Sequence, residues 1–276
     1  MDRIQKALDK AKAKHSAVAH EPVATRTEYV KPTVDDPLKA PINEIAYKQT
    51  RVVDASNVVL EENRVIAGMY NNAQSGVFRM LRTQILTKMR ANNWQTLAIT
   101  SPTAGEGKSL IASNLAVAIA MELNQTVMLV DMDLRNPSLS DNFNLNAQLG
   151  LKDYLEQDIE LKDVLLNPGI NRMVILPGKG RAEDSAELLS SPKMAHLVDD
   201  LKAQYDSRVI IFDVPPILQT DDVLLSSKYF DCVLLVLEDG KNKEADLIRS
   251  QQLLEGTNLI GSVLNKSDNF LVQQNY

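Results

Sequence analysis

Beyond residue 95, apolar positions follow two alternating rhythms. Short unbroken runs, several of them β-branched, occur at Thr96–Thr100, Thr126–Asp131, Met173–Leu176, Arg208–Asp213, 232–237 and Leu259–Asn265. Between them lie stretches with helical spacing, at 110–123, 185–205, 222–228 and 243–254. A strand that is apolar at consecutive positions is buried on both faces, so strands of this kind separated by helices predict an α/β fold. Its sheet is expected to be mostly parallel and covered by helices on both faces. A further helix is predicted at 76–90, where Val77, Met80, Leu81, Ile85 and Leu86 share one face.

The start of the chain reads differently. Ile4, Ala7, Leu8 and Ala11 recur at helical spacing among Arg3, Lys6, Lys10, Lys12 and Lys14, which predicts a basic amphipathic helix over residues 1–15. Such a helix could dock on acidic lipid or on a partner protein; a frayed, solvated terminus is the competing reading. Over residues 16–50 no period survives, and Pro22, Pro32, Pro37 and Pro41 stand among polar residues, as in a flexible linker. The main domain is then expected at 51–265, followed by a mobile tail at 266–276.

Composition narrows the function classes. With 276 residues, 44% hydrophobic and 24% charged, the chain is ordinary globular protein. Its net charge of −6 lacks the overall basic field of sequence-independent nucleic-acid binding, so no nucleic-acid partner is expected. Cys232 is the only cysteine, which excludes an intramolecular disulfide framework and fits a reducing compartment. His15, His20 and His196 are too scattered for a metal site or triad. The longest lipid-compatible stretch, 110–123, is interrupted by Ser113, Asn114 and Glu122 and is shorter than the roughly 20 residues that cross a bilayer. With no apolar signal segment near residue 1, a cytoplasmic location is expected, with membrane contact peripheral or through a partner.

The chemistry starts where the first long strand ends. Residues 100–109 read Thr-Ser-Pro-Thr-Ala-Gly-Glu-Gly-Lys-Ser and lead straight into a helix. A strand, a glycine turn, Gly-Lys-Ser and a helix form a phosphate-binding loop. Gly105 and Gly107 let backbone N–H groups face phosphate oxygens, Lys108 brings a mobile positive charge, and Ser109 offers a hydroxyl to Mg²⁺. The strict pattern G-x-x-x-x-G-K-[ST] fails at its first position, where Pro102 stands. Asp131 and Asp133 follow the second strand, and Asp213 ends the run 208–213. All three would emerge at the carboxyl edge, where such sheets bind ligands. Singly, each aspartate is more often a cap or turn residue; together, beside a phosphate loop, they favour ligation.

These residues carry a family resemblance. SPTAGEGKS (101–109), VMLVDMDLRNPSL (127–139) and VIIFDVPPIL (209–218) resemble the Walker A, A′ and B motifs of bacterial tyrosine kinases of the CpsD/CapB type, which accompany capsular and exopolysaccharide chain-length regulators. The likeness spans roughly residues 75–266 and implies a MinD-like fold of the P-loop NTPase type. It implies ATP held by Gly105, Glu106, Gly107, Lys108, Ser109 and Leu110, and Mg²⁺ held by Ser109, Asp133 and Asp213. Asp131, with Lys108 as the other catalytic residue, would activate the attacking hydroxyl. Tyr276 would be the phosphoacceptor, although family members end in a cluster of tyrosines and this tail has one. Arg79 and Arg82 match two positions of the family's inter-subunit Glu-x-x-Arg-x-x-Arg motif, while Gly76 replaces its glutamate, so a homo-oligomer with altered contacts is expected. The implied partner is the cytoplasmic segment of a membrane (Wzz-like) chain-length regulator.

Two other functions stay open at this point. A MinD/ParA-like ATPase switch would use the same pocket without tyrosine phosphorylation, but those proteins usually carry an extra lysine early in the loop, and 101–106 has none. A scaffold that has lost nucleotide binding fits poorly with intact Lys108, Ser109, Asp131, Asp133 and Asp213.

Overall fold

A computed structural model describes residues 50–267 apart from 73, 205 and 206. The helix predicted over 1–15, all but the last residue of the 16–50 linker, and the tail from 268 to Tyr276 lie outside the described residues.

The apolar runs form the strands at almost the predicted bounds. In chain order these are β1 (Arg51–Val52), β2 (Thr96–Thr100), β3 (Thr126–Asp131), β4 (Leu166–Asn167), β5 (Met173–Leu176), β6 (Arg208–Asp213), β7 (Cys232–Glu238) and β8 (Leu259–Asn265). They make one eight-stranded sheet in the order β1-β4-β5-β3-β6-β2-β7-β8. The six strands from β5 to β8 are mutually parallel, whereas β4 pairs antiparallel to β5 and parallel to β1. The two-residue strands β1 and β4 are too short to leave a periodic signal.

Every residue of β2, β3, β5 and β6 is buried, and alternation sorts their side chains between two cores. Leu97, Ile99, Val127, Leu129, Val209 and Ile211 face the helices Ser75–Ala91 and Lys108–Ala120. Ala98, Met128, Val130, Ile210 and Phe212 face the helices Leu151–Glu156, Ser185–Ser190, Pro192–Ala203 and Asp222–Ser226. Coverage on both faces is what the unbroken runs demand.

Two predicted helices are divided. The stretch 185–205 breaks at Ser191, whose extended backbone starts a new helix and whose Oγ accepts from Met194 N at 3.2 Å. Pro192 has no N–H to continue the preceding helix and is suited to the first turn of the next. Asp222–Ser226 passes into a 3₁₀ turn, Ser227–Tyr229.

The polar interruptions of 110–123 are explained by neighbours. Asn114 is fully buried; its Oδ1 accepts from Ile66 N (2.8 Å) and Ala67 N (3.0 Å), and its Nδ2 donates to Arg64 O (2.9 Å) and Leu110 O (3.0 Å). Ser113 Oγ accepts from Asn142 Nδ2, and Glu122 pairs with Arg82 at 3.0 Å. This helix is a core element, buried almost all round, and no described helix is long and apolar enough to cross a membrane.

Candidate active site

Three adjacent strands bring the chemistry together. In register, Ile99 of β2 lies beside Asp213 of β6, and Asp213 beside Asp131 of β3. The loop after β2 therefore opens directly over two carboxylates. It ends on Gly107 in the left-handed region (φ +92°), after which Lys108 begins the helix Lys108–Ala120. Glycine is required at 107 twice over: its φ disfavours side chains, and a Cβ there would sit 2.1 Å from Asn265 Nδ2.

The Lys108 ammonium reaches back over the sheet edge to Asp133 Oδ2 at 2.7 Å and stands 3.6 Å from Asp213 Oδ1 and 3.4 Å from Ser109 Oγ. Burial alone would lower its pKa, but Asp213 and then Asp133 outweigh it and hold the ammonium charged. Asp131 is fixed differently. Its Oδ2 accepts from the backbone N–H groups of Ser138 (2.9 Å) and Leu139 (3.0 Å), while its buried Oδ1 has no hydrogen-bond partner. Burial, reinforced by the charge of Asp213, pushes Asp131 up to about 8 against the pull of Leu139, Lys108 and Ser138. Asp213 is raised as well, mainly by burial, against the pull of the Lys108 ammonium 3.6 Å away and of the Ser109 hydroxyl, and neither of its buried oxygens receives a hydrogen bond of full geometry.

Glu106 ties the loop's end to its start. Its Oε1 accepts from Thr103 N (3.2 Å), Thr103 Oγ1 (2.5 Å) and Asn242 Nδ2 (2.5 Å). Lys241 and Lys266 donate from outside to the carbonyls of Ala104 (2.5 Å) and Gly105 (2.7 Å), and both pair with Glu238. The departure at Pro102 is absorbed by the segment after β6, where Ile217 N donates to Ser101 O and Leu218 N to Pro102 O. A proline needs only its carbonyl there.

Carboxyl oxygens that are buried without donors fit a cation brought in with a ligand. Among the described residues no three His, Cys, Asp or Glu side chains form a self-contained metal site. Such a donor set suits a cation that completes its shell with hydroxyl, water and ligand oxygens, as Mg²⁺ does, better than one held by protein side chains alone, as Zn²⁺ is.

A family model described as an AAA domain matches residues 94–255. The chain belongs to this family. Among its AAA-domain relatives is the tyrosine-protein kinase YwqD of Bacillus subtilis, 29% identical over 208 residues that cover 75% of this chain and 86% of YwqD. The kinase domain of the Escherichia coli tyrosine kinase ETK superposes with a TM-score of 0.69 at 26% identity, over 82% of this chain and 94% of that domain. MinD of Pyrococcus horikoshii, solved with Mg-ADP, shares the fold at a TM-score of 0.54 and 24% identity over 63% of this chain and 72% of its own. The architecture is thus that of nucleotide-binding P-loop proteins, and the nearer likeness is to bacterial tyrosine kinases.

Within this AAA-domain chain the leading helix keeps its arginines occupied. Arg82 pairs with Glu122 and donates to Ala118 O (3.2 Å), and Arg79 donates to Ser75 Oγ (2.7 Å). Leu110 is half-buried and serves the fold through its carbonyl. Sequence reasoning missed Gly178, whose Cβ would lie 2.6 Å from Pro137 Cβ and 3.3 Å from Asp131 Cγ, so that it walls in the carboxylate. It also missed Asn242, Asn265, Lys241 and Lys266, which leave no local motif because they converge from the ends of β7 and β8. Cys232 is buried and its thiol is pushed up to about 12, chiefly by burial and then by Asp231, which makes it chemically inert.

Proposed function

We propose that this chain transfers the γ-phosphoryl group of ATP to a tyrosine hydroxyl. The observation that carries the reading is the meeting of Lys108 with Asp131, Asp133 and Asp213 at three neighbouring strand ends, with buried carboxylate oxygens lacking hydrogen-bond donors. The loop N–H groups of residues 105–110 would cradle the phosphates, and Lys108 would leave Asp133 for the β- and γ-oxygens. Mg²⁺, held through Ser109, Asp133 and Asp213, would supply charge neutralisation on those oxygens.

Asp131 is the proton acceptor in this reading. A tyrosine hydroxyl, with a pKa near 10, is a weak nucleophile at neutral pH, and a carboxylate positioned by two backbone N–H groups with one free oxygen is built to take its proton. In the ligand-free chain burial and the charge of Asp213 keep Asp131 protonated below about pH 8; the base needs the ionised form, which a cation bound beside the two carboxylates would favour. Phosphoryl transfer passes through a loose transition state, so positioning and charge supply most of the acceleration.

The natural setting follows from the family likeness: polysaccharide synthesis and export at the inner face of the membrane, reached through the cytoplasmic segment of a chain-length regulator. Copies of the chain would assemble along the helix Ser75–Ala91, where Val77 and Met80 are exposed beside Arg79 and Arg82, and Tyr276 would be the acceptor presented to a neighbour.

Incubation with labelled ATP and Mg²⁺ tests the reading. Label should appear on tyrosine, be lost in Lys108→Met, and shift or vanish in Tyr276→Phe. ATP turnover with no phosphotyrosine, even with the regulator's cytoplasmic segment added, would overturn the kinase assignment and leave a nucleotide switch.

A further inference from the structure

The loops after β3 and β6 are joined by an ion pair of which the sequence motifs contain only the arginine. Asp222 is fully buried at the start of the short helix Asp222–Ser226. Arg135 grips it with a fork, Nε to Oδ2 at 3.1 Å and Nη2 to Oδ1 at 3.3 Å, and Ser185 Oγ donates to the same Oδ2 at 2.7 Å. Both oxygens are satisfied, so Asp222 is a fixed point between two helices. Arg135, with a side chain 38% exposed, takes its position from that point.

The backbone of Arg135 lies inside a tight turn. Asn136 N donates both to Asp133 O (3.1 Å) and to Asp133 Oδ1 (3.0 Å), leaving Oδ2 to meet Lys108 at 2.7 Å. Holding residue 135 therefore holds the turn that aims Asp133. A buried ion pair contributes little net stability over an apolar pair of similar volume, but a forked arginine–carboxylate contact fixes geometry well.

We propose that Asp222 is a positioning residue for the phosphoryl-transfer site, acting through Arg135 to lock the Asp133 turn in the orientation a bound cation needs. This rests on the reading of Asp133 as part of the Mg·ATP site. The lock ties the turn after β3 to the start of the helix Asp222–Ser226.

The test is a double-mutant cycle on the full chain, with the Mg²⁺ dependence of ATP turnover and of fluorescent ATP-analogue binding as readouts. Asp222→Asn should raise the half-saturating Mg²⁺ concentration about tenfold, as outer partners of metal ligands typically do. Arg135→Met should do the same, and the double variant should be no worse than the worse single one, since both act through one contact. Should Arg135→Met fail to fold, because it strands a buried charge, Ser185→Ala replaces it with a shift of about threefold. An unchanged Mg²⁺ requirement in Asp222→Asn, or losses that multiply, overturns the proposal, as does a shift confined to thermal stability. Turnover without phosphotyrosine in the unmodified protein would sink only the kinase reading; absence of Mg·ATP binding would sink both.

Discussion

The helix Lys108–Ala120 buries a lysine in its first turn and an asparagine in its second, and the surroundings treat them in opposite ways. Asn114 makes four hydrogen bonds at 2.8–3.0 Å to backbone groups and leaves nothing unpaired. Lys108 stands among carboxylates that are incompletely paired: Asp131 Oδ1 has no hydrogen-bond partner, and Asp213 is met by the ammonium only at 3.6 Å. A buried polar group without a partner costs about 1–3 kcal/mol, so several together single out the first turn rather than the second as the candidate site. The second turn is architecture, pinning residues 64–67 to the core. The first turn carries the candidate site.

The comparison can be broken first at Lys108. Lys108→Met should cut phosphoryl transfer on the order of 100- to 1000-fold, since it removes one fixed charge from the developing transition state. Turnover assays at saturating Mg²⁺ measure it. Asn114→Ala should do the reverse, costing about 3 kcal/mol of stability by chemical denaturation while the folded fraction keeps its specific activity. Equal loss of activity per folded molecule in both variants would erase the distinction between the two turns.

Smaller effects sharpen the contrast. Gly178→Ala presses a methyl group against Pro137 and Asp131, and a displacement of this kind should lower kcat about tenfold with little change in nucleotide affinity. Asp131→Asn tests the electrostatics through stability. The folded chain raises Asp131 from 3.8 to about 8, so it holds a proton that the unfolded chain releases near pH 4. That contribution to stability is complete below pH 4 and is lost as pH rises towards and through 8. The ligand-free protein should therefore weaken over this window, and Asp131→Asn should make the profile shallower, leaving the part carried by Asp213, and be the more stable form at pH 8. Arg82→Ala, which breaks a partly exposed pair with Glu122, should cost only about 0.5–1 kcal/mol.

Much of this was legible beforehand. The six long strands were readable because a strand buried on both faces is an unbroken apolar run, and β3 and β6 end on Asp131 and Asp213, which the sheet register places side by side. The loop was readable as a turn because Gly-Lys-Ser stands between a strand and a helix, and the structure shows that strand–turn–helix arrangement. What escaped is what depends on distant partners. Ser113, Asn114 and Glu122 were visible only as interruptions, and nothing local says that Asn114 closes on residues 64–67. The division at Ser191 was hidden inside a continuous helical period, although Pro192 marks it. Gly178 gave no signal because its need for a missing side chain comes from Pro137 and Asp131, two strands away along the chain. Asp222 and Arg135 likewise sit 87 residues apart.

The most direct measurement is a crystal structure with Mn²⁺ and a non-hydrolysable ATP analogue, with the metal located by its anomalous signal. The ion should lie beside Ser109 Oγ and the carboxylates of Asp133 and Asp213, with the Lys108 ammonium moved from Asp133 onto phosphate and Asp131 Oδ1 open to an acceptor hydroxyl. An analogue bound elsewhere, or a metal site that leaves those acids without contact to cation, phosphate or its bound water, would contradict the assignment of the site.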